Sequence, residues 1–205
     1  MNCKLLSAVL VTGLCASLAV KAEDEGNWMI RARAVNLDMA QKSDPVSGTG
    51  ASNRLTVNNK VIPELDVSYF FTPNIAAELV LTVPQKQNVY LDGDKIGTFK
   101  HLPPTLLAQY HFNPEGNFRP YVGAGVNYTL ISKEQIANGA YHLDNHSTGL
   151  ALQVGFDYKL GKNVYLNVDL KKLRLRSDVL DSSNQKVSRV KLDPVLFGIG
   201  IGYRF

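Results

Sequence analysis

The chain has 205 residues, 45% of them hydrophobic and 20% charged, with 22 basic against 18 acidic residues and a formal net charge of +4. That near-balance argues against nucleic acid or a strongly anionic surface as a partner. Cys3 and Cys15 are the two cysteines, and both fall in a segment that reads as removable, so a disulfide scaffold is excluded.

Met1 to Lys4 make a short positive start, Leu5 to Val20 are mostly apolar, and Val20 and Ala22 are small residues at a cleavage position. Residues 1–22 therefore read as a secretory signal peptide cut after Ala22. An apolar run of roughly 16 residues is short for a membrane anchor helix, and Glu23-Asp24-Glu25 follows it. Leu14 stands before Cys15 where a lipoprotein signal wants a small residue, which argues against lipidation. Residues 23–205 form the expected single mature domain. Lys4 and Lys21 leave with the signal, so 20 basic residues face 18 acidic ones, a net charge of +2.

Alternation with a period of two predicts strands. They fall at about 27–37, 61–71, 75–83, 102–112, 119–131, 148–160, 164–175 and 196–205. Short connections lie at 72–74, 113–118 and 161–163; long polar ones cover 38–60, 84–101, 132–147 and 176–190. An even number of strands, each long enough to span a bilayer when tilted, with short turns at one end and long loops at the other, predicts an all-β protein. Its expected form is an eight-stranded antiparallel up-and-down transmembrane β-barrel.

One parity is apolar throughout: Ile30, Ala32 and Ala34; Leu65 and Val67; Leu79 and Leu81; Val122, Ala124 and Val126; Leu152 and Val154; Phe197, Ile199 and Ile201. The aromatics Trp28, Tyr69, Phe71, Tyr110, Phe112, Phe156, Tyr158, Tyr203 and Phe205 gather at the short-turn end, as in an interfacial girdle. A soluble lipocalin-like barrel shares the alternation, but its interior has no reason to collect aromatics at one level.

The opposite parity faces inward. Near the short turns it carries Arg31, Arg33, Glu64, Asp66, Glu78, His111, Asp157, Asp169, Lys171 and Arg204, a set balanced enough to pair as an interior polar plug. Nearer the long loops it carries Val35, Ile62, Val80, Leu107, Leu173, Leu175, Leu192 and Leu196, which predict an apolar pocket over the plug. Pro63, Pro103, Pro104 and Pro194 each remove a ladder donor and mark places for a lateral exit.

The segments HLPPTLLAQYHF, RPYVGAGVNYT, YLNVDLKK and LDPVLFGIGIGYRF, in this order and spacing, resemble the outer membrane protein W (OmpW) family of Gram-negative bacteria. The resemblance covers essentially the whole expected mature chain. It implies an outer-membrane location with periplasmic termini, and a narrow, largely hydrophobic channel for small hydrophobic molecules. Outer-membrane lipid and lipopolysaccharide are then its surroundings, and no cofactor is expected. Tyr203 and Phe205 resemble the signal read by the barrel-assembly machinery.

Two other classes of function compete with a channel. An enzyme needs a nucleophile with a base in reach, and no serine neighbours His111; His142 and His146 have a metal-like spacing, but one pair in a loop is weak evidence for a metal site. Neither catalysis nor a metal is expected. An adhesive or structural barrel is the alternative, with the long loops as a receptor for phage or bacteriocin.

Overall fold

A computed structural model describes residues 26–137, 140–183 and 185–205. The expected signal peptide at 1–22 lies outside the described residues. The strands, in chain order, are β1 (Trp28–Asp38), β2 (Lys42–Ser43), β3 (Leu55–Val57), β4 (Lys60–Phe70), β5 (Ile75–Thr82), β6 (Gln85–Leu91), β7 (Asp94–Leu102) and β8 (Thr105–His111). They continue with β9 (Phe118–Ile136), β10 (Tyr141–Leu143), β11 (His146–Lys159), β12 (Val164–Leu173), β13 (Arg176–Asp181), β14 (Lys186–Lys191) and β15 (Val195–Arg204).

Eight of them close a barrel in the order β1–β4–β5–β8–β9–β11–β12–β15, every pair antiparallel. The last strand pairs with the first along its length, from Met29↔Arg204 to Asp38↔Val195, so the sheet has no open edge. The apolar parity points outward: Leu150 is 64% exposed and Val61 66%, with Leu65, Leu106, Val126, Phe197, Ile199 and Ile201 also bare. So extensive an apolar exterior is a lipid contact, not the surface of a soluble barrel. That settles the lipocalin-like alternative against it. At the short-turn end the aromatics touch in pairs, Trp28–Tyr69 at 4.9 Å, Tyr69–Phe71 at 5.1 Å, Tyr110–Phe112 at 5.1 Å and Phe118–Phe156 at 5.0 Å between centroids.

The long segments correct the sequence reading. They are not polar loops but a second tier of sheet, ordered β3–β6–β7–β9–β10–β13–β14–β2. β9 serves both tiers: its lower half pairs with β8 up to Thr105↔Asn127, and its upper half pairs with β7 from Leu102↔Leu130 to Gly97↔Ile136. Side chains help close the upper ring between β2 and β3. The Leu55 amide donates to Ser43 Oγ (3.1 Å), the Val57 amide to Gln41 Oε1 (3.1 Å), and the Asn53 amide to the Ser43 carbonyl (2.9 Å).

The predicted strand at 102–112 is likewise split. Pro103 and Pro104 have no N–H to give, so β7 stops before them and β8 starts after. Asn127 Nδ2 instead donates to both proline carbonyls, at 3.3 and 3.2 Å, and to Thr105 Oγ1 at 2.9 Å.

Asp92 and Gly93 make the two-residue turn between β6 and β7, with φ of 51° and 93° and Leu91 opposite Asp94. Positive φ at both central positions is the mirror-image turn that matches strand twist. Gly93→Val is therefore expected to cost roughly 1–2 kcal/mol locally. Amide exchange across Leu91–Asp94 should speed up while the barrel amides stay protected.

Candidate functional site

The barrel lumen is filled by a buried ionic network. Arg31, on β1, makes a forked pair with Asp157, on β11, at 3.0 and 2.7 Å, and donates to Ser68 Oγ at 2.7 Å. Arg33 lies among four carboxylates: Glu78 at 2.8 Å, Asp66 at 3.1 Å, Glu64 at 3.2 Å and Asp169 at 3.3 Å. Lys171 Nζ bridges Glu64 (2.7 Å) and Asp169 (3.0 Å). Gln153 donates to Asp169 (2.6 Å) and Glu78 (3.1 Å), and Gln109 donates to Glu78 and to Gln153 Oε1. Buried charges at this density are tolerable where they meet opposite partners and further donors; Asp66 is the exception among the described residues, close to Arg33 but with no hydrogen bond to either oxygen.

Below the network, Met29, Phe70, Ala76 and Tyr165 form a small apolar cluster. Arg204 stacks its guanidinium over Phe70 at 4.0 Å and Arg119 over Tyr165 at 5.0 Å. His111 packs between Phe70 and Tyr121, 4.9 Å from each ring centroid. All ten residues expected to form the plug are buried inside the barrel. Counting Arg119, which the sequence reading missed, the described residues bury five basic side chains (Arg31, Arg33, Arg119, Lys171, Arg204) and five carboxylates (Glu64, Asp66, Glu78, Asp157, Asp169) in the lumen.

Tyr121 was also missed. It is fully buried, and a Cβ added at Gly155 would stand 2.7 Å from its ring, so the glycine makes the room it fills. Its position on the inward parity, between Arg119 and Gly123, is the signal that pointed to it.

Above the plug the interior is apolar. Val35, Ile62, Val80, Leu107, Leu173, Leu175, Leu192 and Leu196 are all buried in one cluster that continues upward into the second tier. There it opens into a cavity of about 70 Å³. The second tier supplies nearly all of its lining, including Leu55 and Val57 from β3, Val89 and Leu91 from β6, Phe99 from β7, Ile131 and Ile136 from β9, and Val179 and Val190 from β13 and β14. Of the eight residues expected at a pocket, Leu192 touches this one; the other seven pack beneath it. The inward alternation of NVYL, SDVLD and KVSRV was the overlooked signal.

The two spaced histidines go to the outer surface. His142 is exposed on β10, and His146 stacks on Tyr128 with centroids 6.0 Å apart.

Comparison with known proteins agrees with this architecture. A family model described as OmpW family matches residues 24–205. An uncharacterized outer-membrane protein of Sinorhizobium fredii is 43% identical, the match covering 87% of this chain and 80% of that protein. Outer membrane protein W of Vibrio cholerae is 32% identical over 98% of both chains. The crystal structure of the outer membrane protein OprG from Pseudomonas aeruginosa superposes with a TM-score of 0.77 at 29% identity, covering 90% of this chain and 98% of that one. With its closed barrel, lipid-facing exterior and plugged lumen, this chain belongs to the OmpW family of Gram-negative outer-membrane proteins.

Proposed function

We propose that the protein takes small apolar molecules from outside the cell into the outer membrane. The observation that carries this reading is the position of the pocket: a nearly all-apolar cavity in the second tier, continued below by a packed apolar layer that rests on the ionic network. Apolar lining gains free energy when it sheds water onto an apolar solute, by about 25 cal/mol per Å² covered. The ionic network beneath offers such a solute nothing and bars the straight route to the periplasm.

The exit is then sideways. The β4–β5 ladder has its top rung at Glu64↔Thr82, although β4 continues to Lys60; the β5–β8 ladder tops out at Val80↔Thr105, and pairing resumes only at Gln85↔His101. Pro63, Pro84, Pro103 and Pro104 surround this weakly paired stretch of wall. At Pro194 the wall is tied, since the Leu173 amide donates to its carbonyl at 3.1 Å, and Pro104 is tied likewise toward β9 by the Tyr128 amide at 3.0 Å, so the opening lies on the β5 side.

Protein-containing liposomes offered a panel of apolar and polar solutes of similar size should accumulate the apolar ones faster than protein-free liposomes, with no added ion conductance. Strong ion conductance without apolar preference would sink the reading.

A further inference from the structure

On the outer surface, where the barrel wall meets the second tier, the outward parity of β12 changes character. Up to Leu170 it is apolar; the next three positions, running into β13, are Lys172, Arg174 and Arg176, while Leu173 and Leu175 between them are buried. Backbone pairing sets the height of this basic run. The Arg174 amide donates to the carbonyl of Leu150, a lipid-facing residue, at 2.8 Å. One step up, Ser147 Oγ donates to the Arg176 carbonyl (2.6 Å), and above that the Asp144 amide donates to the Asp178 carbonyl (3.1 Å). Tyr128, half exposed and opposite Thr148, stands at the same height on β9, as an aromatic at the outer interface does.

These residues line one open groove. Val126 and Leu150 form its lower end, Thr148, Arg174 and Arg176 its middle, and Asp144, Asp178 and Arg189 its upper end. Its charges are unevenly matched. Arg176 pairs with Asp193 (3.0 Å), and Arg189 (2.5 Å) and Lys186 (3.0 Å) share Asp178. Both arginine pairs run through Nε and Nη2, leaving Nη1 unused. Lys172 Nζ donates to the Asp193 carbonyl. The Arg174 guanidinium has no hydrogen bond or ion pair among the described residues, and neither has the Asp144 carboxylate. Five bases therefore stand against three carboxylates, and the unpartnered base is the one nearest the hydrocarbon.

We propose that this groove binds the phosphorylated sugar headgroup of a lipid A molecule in the outer leaflet. A phosphate seats on Arg174, whose planar fork suits two of its oxygens, and Arg176 and Lys172 add positive charge on either side. Thr148 supplies a hydroxyl beside it, and an acyl chain lies over Leu150 and Val126. The lower end of the groove opens onto the lipid-facing surface, which favours a lipid over a free anion. The termini are periplasmic and the second tier is at the opposite end of the barrel, so the leaflet at this height is the outer one.

The test counts lipids on the detergent-solubilised barrel by native mass spectrometry. The probes are bis-phosphorylated lipid A, the same lipid with both phosphates removed, and inorganic pyrophosphate as competitor. Native protein should hold one bis-phosphorylated lipid A roughly tenfold more tightly than the dephosphorylated form. Arg174→Gln, at an exposed and unpartnered position, should remove most of that preference while affinity for the dephosphorylated lipid stays the same. Lys95→Gln removes the same charge from an exposed position near the β6–β7 turn and should change nothing. Equal affinity for the two lipids, or equal losses in the two variants, would overturn the site. Displacement of the lipid by an equal concentration of pyrophosphate would overturn its assignment to a lipid headgroup.

Discussion

Val190→Trp should abolish most apolar uptake without unfolding the barrel. Val190 lines the pocket from β14, where Ser43 and Ser177 lie opposite on the adjacent strands. An indole placed there occupies space a solute needs, and the neighbours are backbone-paired strands that resist moving aside. Uptake of a small apolar probe into liposomes should fall by roughly tenfold or more, the equivalent of at least about 1.4 kcal/mol in occupancy. Leu150→Trp is the control, because Leu150 faces lipid and is 64% exposed. It adds similar bulk where there is room, and uptake should stay unchanged. Equal loss in both variants would mean that the pocket is not the route.

Arg33→Met should be the most destabilising single change in the plug. It leaves Glu64, Asp66, Glu78 and Asp169 facing one another with Lys171 as the remaining close cation. Removing one partner of a buried pair typically costs about 3–5 kcal/mol, and here Asp66 and Glu78 lose their ion-pair partner while Glu64 and Asp169 keep Lys171. Urea unfolding from lipid vesicles should show the midpoint shift. Neutralising Asp66 and Glu78 as the amides in the same chain should recover part of the loss, since the network is coupled. The exposed pair Arg54–Asp92, at 2.5 Å, is the contrast: Arg54→Met should leave the midpoint where it is.

The barrel was legible because it separates two unlike environments along whole strands. Lipid outside demands apolar residues at every second position for about ten residues, and the crowded lumen takes charge or glycine at the others. The second tier was not legible, because the meaning of the alternation reverses there. On β9, Val122, Ala124, Val126 and Tyr128 face out; above them the tier is bathed in water outside, and the apolar residues Ile131 and Ile136 turn inward. Its strands are also short, two to seven residues for most, so each carries too few periods to stand out from a polar loop. The Asp92-Gly93 turn was the clearest local mark of a hairpin, and it lay inside a segment read as loop for its polarity. The charged floor followed from parity alone, because charges on strands that line a narrow barrel have nowhere else to go. An apolar pocket above it was expected, but not its walls, which apart from Leu192 come from residues far apart in sequence that only the second ring brings together.

That second ring also decides where foreign sequence can be displayed on the cell surface. In a barrel with slack loops, a tag could be spliced almost anywhere between spanning strands. Here an insertion within residues 41–59 would part the side-chain clasp between β2 and β3, and one within 97–102 would detach β7 from β9. The tip at Asp92-Gly93 is exposed; Asp92 is tied to Arg54 through its amide (3.0 Å) and its carboxylate, which leaves the Gly93–Asp94 junction as the place to insert. An epitope inserted there is carried clear of the membrane on a paired stalk, with the rest of the ring left as it was.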